Sequence, residues 1–79
     1  MEIKVLGSGC ANCKRLLQLV EISVRELSVQ AEVKYVTDMA EIANSGLLRT
    51  PGLIINNKVV SYGRVPSLEE VKTLIQNNQ

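Results

Sequence analysis

Gly7-Ser8-Gly9-Cys10-Ala11-Asn12-Cys13 is the stretch on which the fold of this chain turns. It follows a short, mostly apolar run, Ile3-Lys4-Val5-Leu6, that reads as a buried strand. Beyond it, apolar residues recur at Leu16, Leu17, Val20, Val24 and Leu27, a spacing of three and four that marks one face of a helix. Leu19 and Ile22 widen that stripe. The glycines break the strand and let the backbone turn sharply, so Cys10 and Cys13 fall where the helix begins. They are the two cysteines of a chain without histidine, and the reactive chemistry therefore concentrates at this one place.

Working outward, Val33, Tyr35 and Val36 supply a second strand after a Ser28–Glu32 connection. Strand, long helix and strand form a βαβ unit, expected to be right-handed. Asp38 followed by Glu41 predicts a helix N-cap with a reciprocal partner, and Gly46 its end. That short helix is expected to turn Met39, Ile42 and Ala43 inward, with Leu47-Leu48 as core packing beside it. Thr50-Pro51-Gly52 is a turn signal before Leu53-Ile54-Ile55. Asn56-Asn57, two residues that tolerate positive φ, then predict an antiparallel hairpin with Val59-Val60-Ser61-Tyr62. Gly63 ends the strand. Ser67 and Glu70 repeat the capping-box spacing ahead of a last helix with Val71, Leu74 and Ile75 on one face. Gln76–Gln79 is expected to fray. The order βαβαββα predicts an α/β fold: two layers, three helices against a four-stranded mixed sheet, in a single domain spanning 1–79.

Composition narrows the function. The chain has 79 residues, 46% hydrophobic and 22% charged, which is too apolar for a disordered chain. Its core is aliphatic, with two Tyr and no Phe or Trp, so there is no aromatic row on which nucleobases stack. A net charge of +1 with neither sign clustered gives no basic face for phosphate backbones, and nucleic acid is excluded as a partner. No apolar run is long enough for a bilayer span, and Met1-Glu2-Ile3-Lys4 lacks the pattern of a signal peptide. A cytoplasmic monomer is expected. In that reducing compartment a lone Cys-x-x-Cys pair is catalytic or metal-binding rather than structural.

Residues i and i+3 in a first helical turn lie on one side, close enough for a disulfide. Cys10 at the N-cap faces unpaired amides and the positive end of the helix dipole, both of which favour a thiolate. Cys10 is thus the expected nucleophile and Cys13, one turn inside, the expected resolving residue, with Lys14 and Arg15 adding positive potential. As a mere staple the pair is poor, because a four-residue loop removes little unfolded-state entropy. Two alternatives stay open at this point. One is a soft-metal carrier, copper or zinc, using the same cysteines, although a closed zinc site wants four ligands. Carriers of the ferredoxin-like type run βαββαβ and usually have Met two residues before the first Cys, where Ser8 stands. The other is an inactive interaction module of the same shape.

Gly9-Cys10-Ala11-Asn12-Cys13 together with Thr50-Pro51 before a hairpin strand resembles the two-part signature of the thioredoxin superfamily. In detail the chain is similar to small, glutaredoxin-sized members called redox-active disulfide protein 2, through Gly7, Gly9, Cys10, Ala11, Cys13 and the later Gly63-Arg64-Val65. The resemblance covers essentially the whole chain and implies a thiol–disulfide oxidoreductase with a thioredoxin/glutaredoxin-like fold and no cofactor or metal. Its partners would be a disulfide-containing protein substrate and an upstream reductase. It further implies a cis Thr50–Pro51 bond facing the disulfide. Thr50 would offer backbone hydrogen bonds to an extended substrate segment, a short β-augmentation, and Ala11, Asn12 and Gly63 would line the same substrate. The chain departs from its larger relatives at Lys4, where they carry a buried acid six residues before the nucleophile. It departs from glutaredoxins at Gly63-Arg64-Val65-Pro66-Ser67, where they carry the acidic pair that holds glutathione. Arg49 and Arg64 are expected to be solvated loop side chains.

Overall fold

The computed structural model describes residues 1–47 and 49–79. Its elements are β1 (Glu2–Leu6), α1 (Ala11–Leu27), β2 (Glu32–Val36), α2 (Met39–Asn44), β3 (Gly52–Ile55), β4 (Lys58–Tyr62) and α3 (Leu68–Asn77). The strands form one mixed sheet in the order β2-β1-β3-β4. β1 runs parallel to β2, with Leu6 opposite Val36, and antiparallel to β3, with Leu6 opposite Gly52. The thioredoxin-like α/β order βαβαββα is therefore the one expected from sequence.

The layering differs from expectation. Ile3, Val5, Leu53 and Ile55 pack with Leu16, Leu19 and Val20 of α1 and with Val71 and Ile75 of α3. Leu6 and Ile54, which alternate with them along the same strands, pack instead with Val36 and Ile42 of α2. Helices thus cover both faces of the sheet, giving three layers rather than two. β3 is buried at every position, as its unbroken apolar run requires when neither face meets water. The six-residue α2 is too short to present a broad stripe, and it buries Ile42 alone. Met39, 64% exposed, and Ala43 point away from the core, against expectation.

Local signals explain where the elements end. Ser28, in the left-handed conformation at φ 54, closes α1, and the amides of Ser28 and Val29 donate back to the carbonyls of Arg25 and Val24. Asn56 and Asn57 have φ of 50 and 68, the paired positive values that a tight hairpin needs. Asp38 caps α2 by accepting from the Ala40 amide at 2.9 Å, without the reciprocal bond from Glu41. Ser67 likewise accepts from the Glu70 amide at 3.2 Å, while the Glu70 carboxylate turns to Arg64. The C-terminal tail is tied down rather than frayed: Asn78 Nδ2 donates to the Leu74 carbonyl at 2.8 Å, and Asn56 Nδ2 donates to the Asn78 carbonyl at 3.0 Å. On the edge strand β2, Lys34 Nζ sits 3.3 Å from both Glu2 and Glu32, and such charges keep an edge from pairing with another chain.

Candidate redox-active disulfide site

The site gathers at one end of the sheet, where β1 and β4 finish and β3 begins. Cys10 is the N-cap of α1, with extended backbone (φ −68, ψ 166). Its carbonyl accepts the first helical bond from the Lys14 amide at 3.0 Å, and its Sγ accepts from the Cys13 amide at 3.1 Å. The sulfur therefore sits where the helix leaves amides unpartnered and where the dipole is positive. No acidic residue in the first turn offsets that field.

Cys10 and Cys13 are joined in a disulfide with Cα atoms 5.0 Å apart, inside the range such bonds adopt. Their surroundings differ. Cys10 is exposed, whereas Cys13 has 0% exposure and is packed against the end of β1. That contact depends on Gly7. A Cβ there would overlap Cys13 Sγ and lie 2.7 Å from Cys13 Cβ, so only a residue without a side chain fits. Gly7 in turn donates to the Val36 carbonyl at 3.0 Å, which extends the β1–β2 ladder one step past the strands. From sequence Gly7 reads only as a turn residue. The signal available was its place directly between a strand and the cysteines, where backbone must approach closely.

The Thr50–Pro51 bond is cis. Register carries it to the disulfide: Gly52 lies opposite Leu6, so Pro51 and Gly7 each continue their strands toward the same place. Pro51 is buried, Thr50 is exposed, and the Pro51 carbonyl accepts from the Gly63 amide at 2.9 Å. Gly63 is exposed with φ +75. Ala11 and Asn12 are exposed on the first turn of α1. The residues picked out from sequence, Cys10, Ala11, Asn12, Cys13, Thr50, Pro51 and Gly63, thus converge on one end of the fold.

Two further close approaches frame the site. A Cβ at Gly52 would overlap Leu47 Cδ1, so Leu47 covers the start of β3. Its neighbour Leu48, named with it from sequence, lies outside the described residues. The space left by the missing side chain of Gly63 holds Arg49, whose Cβ and Cδ come within 3.3 Å of where a Cβ would stand. Arg64 behaves differently, with Nη2 2.7 Å and Nη1 3.4 Å from the Glu70 carboxylate oxygens. That hydrogen-bonded pair holds the Glu70 carboxyl below the usual carboxylate range and raises the Arg64 guanidinium. Lys4 is half-buried and lines a cleft of about 200 Å³ beneath α2, together with Leu6, Val36, Glu41 and Ile54. It therefore lies on the face of the sheet opposite the one that α1 covers. Among the described residues no group of three Cys, Asp or Glu converges as a metal cluster. A helix, α2, also follows β2, where the βαββαβ order of the carrier alternative has a strand.

Comparison with known proteins agrees with this geometry. The family model described as "Thioredoxin domain" matches residues 1–76. A thioredoxin of Methanothermobacter thermautotrophicus is 37% identical over 75 residues, spanning 95% of this chain and 97% of the relative. A thioredoxin of Methanocaldococcus jannaschii is 39% identical over 70 residues, spanning 89% and 80% respectively. Among solved structures, thioredoxin 1 from Thermosipho africanus superimposes with a TM-score of 0.64 at 23% identity, over 98% of this chain and 92% of the other, and shares the fold. The family match and the disulfide at the helix start converge: this chain belongs to the thioredoxin family and is a thiol–disulfide oxidoreductase built on the Cys10–Cys13 pair.

Proposed function

We propose that Cys10 is the attacking sulfur, that Cys13 resolves the intermediate, and that the chain reduces disulfides in other proteins. The supporting observation is the difference between the two sulfurs. Cys10 is exposed and accepts an amide hydrogen bond at the helix N-terminus, while Cys13 is buried behind it. In the reduced protein the Cys10 thiolate attacks one sulfur of the substrate disulfide. The substrate S–S bond breaks, a mixed disulfide forms, and the departing substrate thiolate takes up a proton. Cys13, deprotonated, then attacks Cys10 Sγ and expels the second substrate sulfur, which is protonated in turn. Two electrons and two protons have passed to the substrate, and Cys10–Cys13 is left oxidised. An upstream dithiol reductase returns the two electrons by the same exchange in reverse.

Thr50 is exposed beside the buried Pro51, which suits it to pair its backbone with an extended segment on either side of the substrate cystine. Proline there has no N–H to leave unpaired against the sulfur. Ala11, Asn12 and Gly63 complete the rim on which that segment lies. A single domain over 1–79, acting in the cytoplasm, carries the whole cycle. No helix is long and apolar enough to cross a membrane among the described residues.

Trapping tests the assignment of roles. With Cys13→Ser the first step is retained and the second is lost, so a dithiothreitol-sensitive adduct with a disulfide-containing protein should accumulate. Cys10→Ser should give none. The reverse pattern, with the Cys10→Ser protein trapping substrate, would reverse the two roles.

A further inference from the structure

We propose that Arg49 is a specificity-determining residue, selecting protein disulfides that carry a carboxylate beside the cystine. The inference rests on the oxidoreductase assignment and goes beyond it in naming the substrate's chemistry. Arg49 directly precedes Thr50–Pro51, the segment that register brings to the disulfide end of the sheet. Its stem is held there, because Cβ and Cδ rest in the space that Gly63 leaves open. An arginine positioned by its aliphatic part keeps its charged head in water at a defined place.

Among the described residues its charge has no partner. Lys34, Arg64 and Lys72 are engaged by Glu2 and Glu32, by Glu70 and by Glu26, whereas no carboxylate lies within ion-pair distance of Arg49 among the described residues. Lys14 and Arg15, exposed in the turn that follows Cys10, are likewise unpaired among the described residues, and no acid interrupts the first turn of α1. Asp38 caps α2 and Glu70 binds Arg64, and neither Glu41 nor Glu69, in the first turns of α2 and α3, forms an ion pair with Arg49. Three cationic side chains, Lys14, Arg15 and Arg49, thus stand exposed near the disulfide. A guanidinium is a fork suited to a carboxylate, and one fixed beside the substrate track favours an approaching Asp or Glu over a Lys.

The test uses the fully reduced protein and peptides containing one disulfide, identical except for Glu, Gln or Lys next to the cystine. Single-turnover rate constants for peptide reduction are compared at low and high ionic strength. The wild-type protein should favour the Glu over the Lys peptide by about fivefold at low salt, the scale of exposed charge pairs, and the preference should shrink in 1 M salt. Arg49→Met keeps an aliphatic stem over Gly63 and should bring the ratio close to one. Arg49→Glu should invert it. A Glu-to-Lys ratio unchanged in Arg49→Glu would overturn the proposal and assign any preference to Lys14 and Arg15. A reduced protein that opens none of the three peptides would instead remove the underlying oxidoreductase assignment, and the proposal with it.

Discussion

At the hairpin end of the sheet, one residue, Asn56, ties the turn to β1 and to the end of α3; at the disulfide end, three missing side chains let other groups in. Asn56 Oδ1 accepts from the Glu2 amide at 2.9 Å, its amide donates to the Glu2 carbonyl at 2.8 Å, and its Nδ2 donates to the Asn78 carbonyl at 3.0 Å. At the other end, Gly7, Gly52 and Gly63 give way to Cys13, Leu47 and Arg49 respectively. Hydrogen bonds to a turn stabilise the fold wherever they fall. Close approach, by contrast, fixes particular atoms against one another. The first device closes the fold, and the second places a sulfur.

The largest effect should come from filling the tightest gap. Gly7→Ala forces a Cβ against Cys13, whose own Cβ is fixed by the helix and cannot swing aside. Overpacking of this kind costs about 1–3 kcal/mol, and in a domain this small each kcal/mol lowers Tm by roughly 4–8 °C. The variant should melt roughly 4–24 °C lower and also exchange more slowly, because the strain falls on the resolving sulfur. Thermal melts and the rate of substrate reduction, measured together, check both halves.

Asn56→Ala should act on the fold alone. It removes two side-chain hydrogen bonds and leaves a β-carbon at φ 50, a total loss of about 1–2 kcal/mol. Melting should fall by several degrees while the exchange rate stays at the wild-type value. Equal losses of rate in the two variants would mean that the ends of the sheet are not independent.

Much of this was legible in the sequence because short-range rules govern it. Cys10 at a helix start, Asn56-Asn57 in a hairpin and Gly46, at φ +84 beyond α2, each follow from local backbone chemistry. The position of α2 on the second face was harder, since periodicity shows which side of a helix is apolar but not which face of a sheet it meets. The unbroken run Leu53-Ile54-Ile55 held that information, because a strand without alternation needs cover on both sides. Met39 faces solvent, against the inward expectation, because apolar character in a helix of six residues says little about direction. The contacts of Gly7 with Cys13 and of Arg49 with Gly63 join residues from different elements, and no single-sequence pattern records such pairs.

The account depends most on the inequality of the two sulfurs, and alkylation of the reduced protein measures it directly. Limiting iodoacetamide at pH 7, followed by mapping of the modified cysteine by mass spectrometry, reads which thiol reacts. Cys10 should be modified at least about tenfold faster than Cys13, and faster than free cysteine, whose pKa is about 8.5. Modification of Cys13 first, or of neither thiol until the protein unfolds, would contradict the assignment.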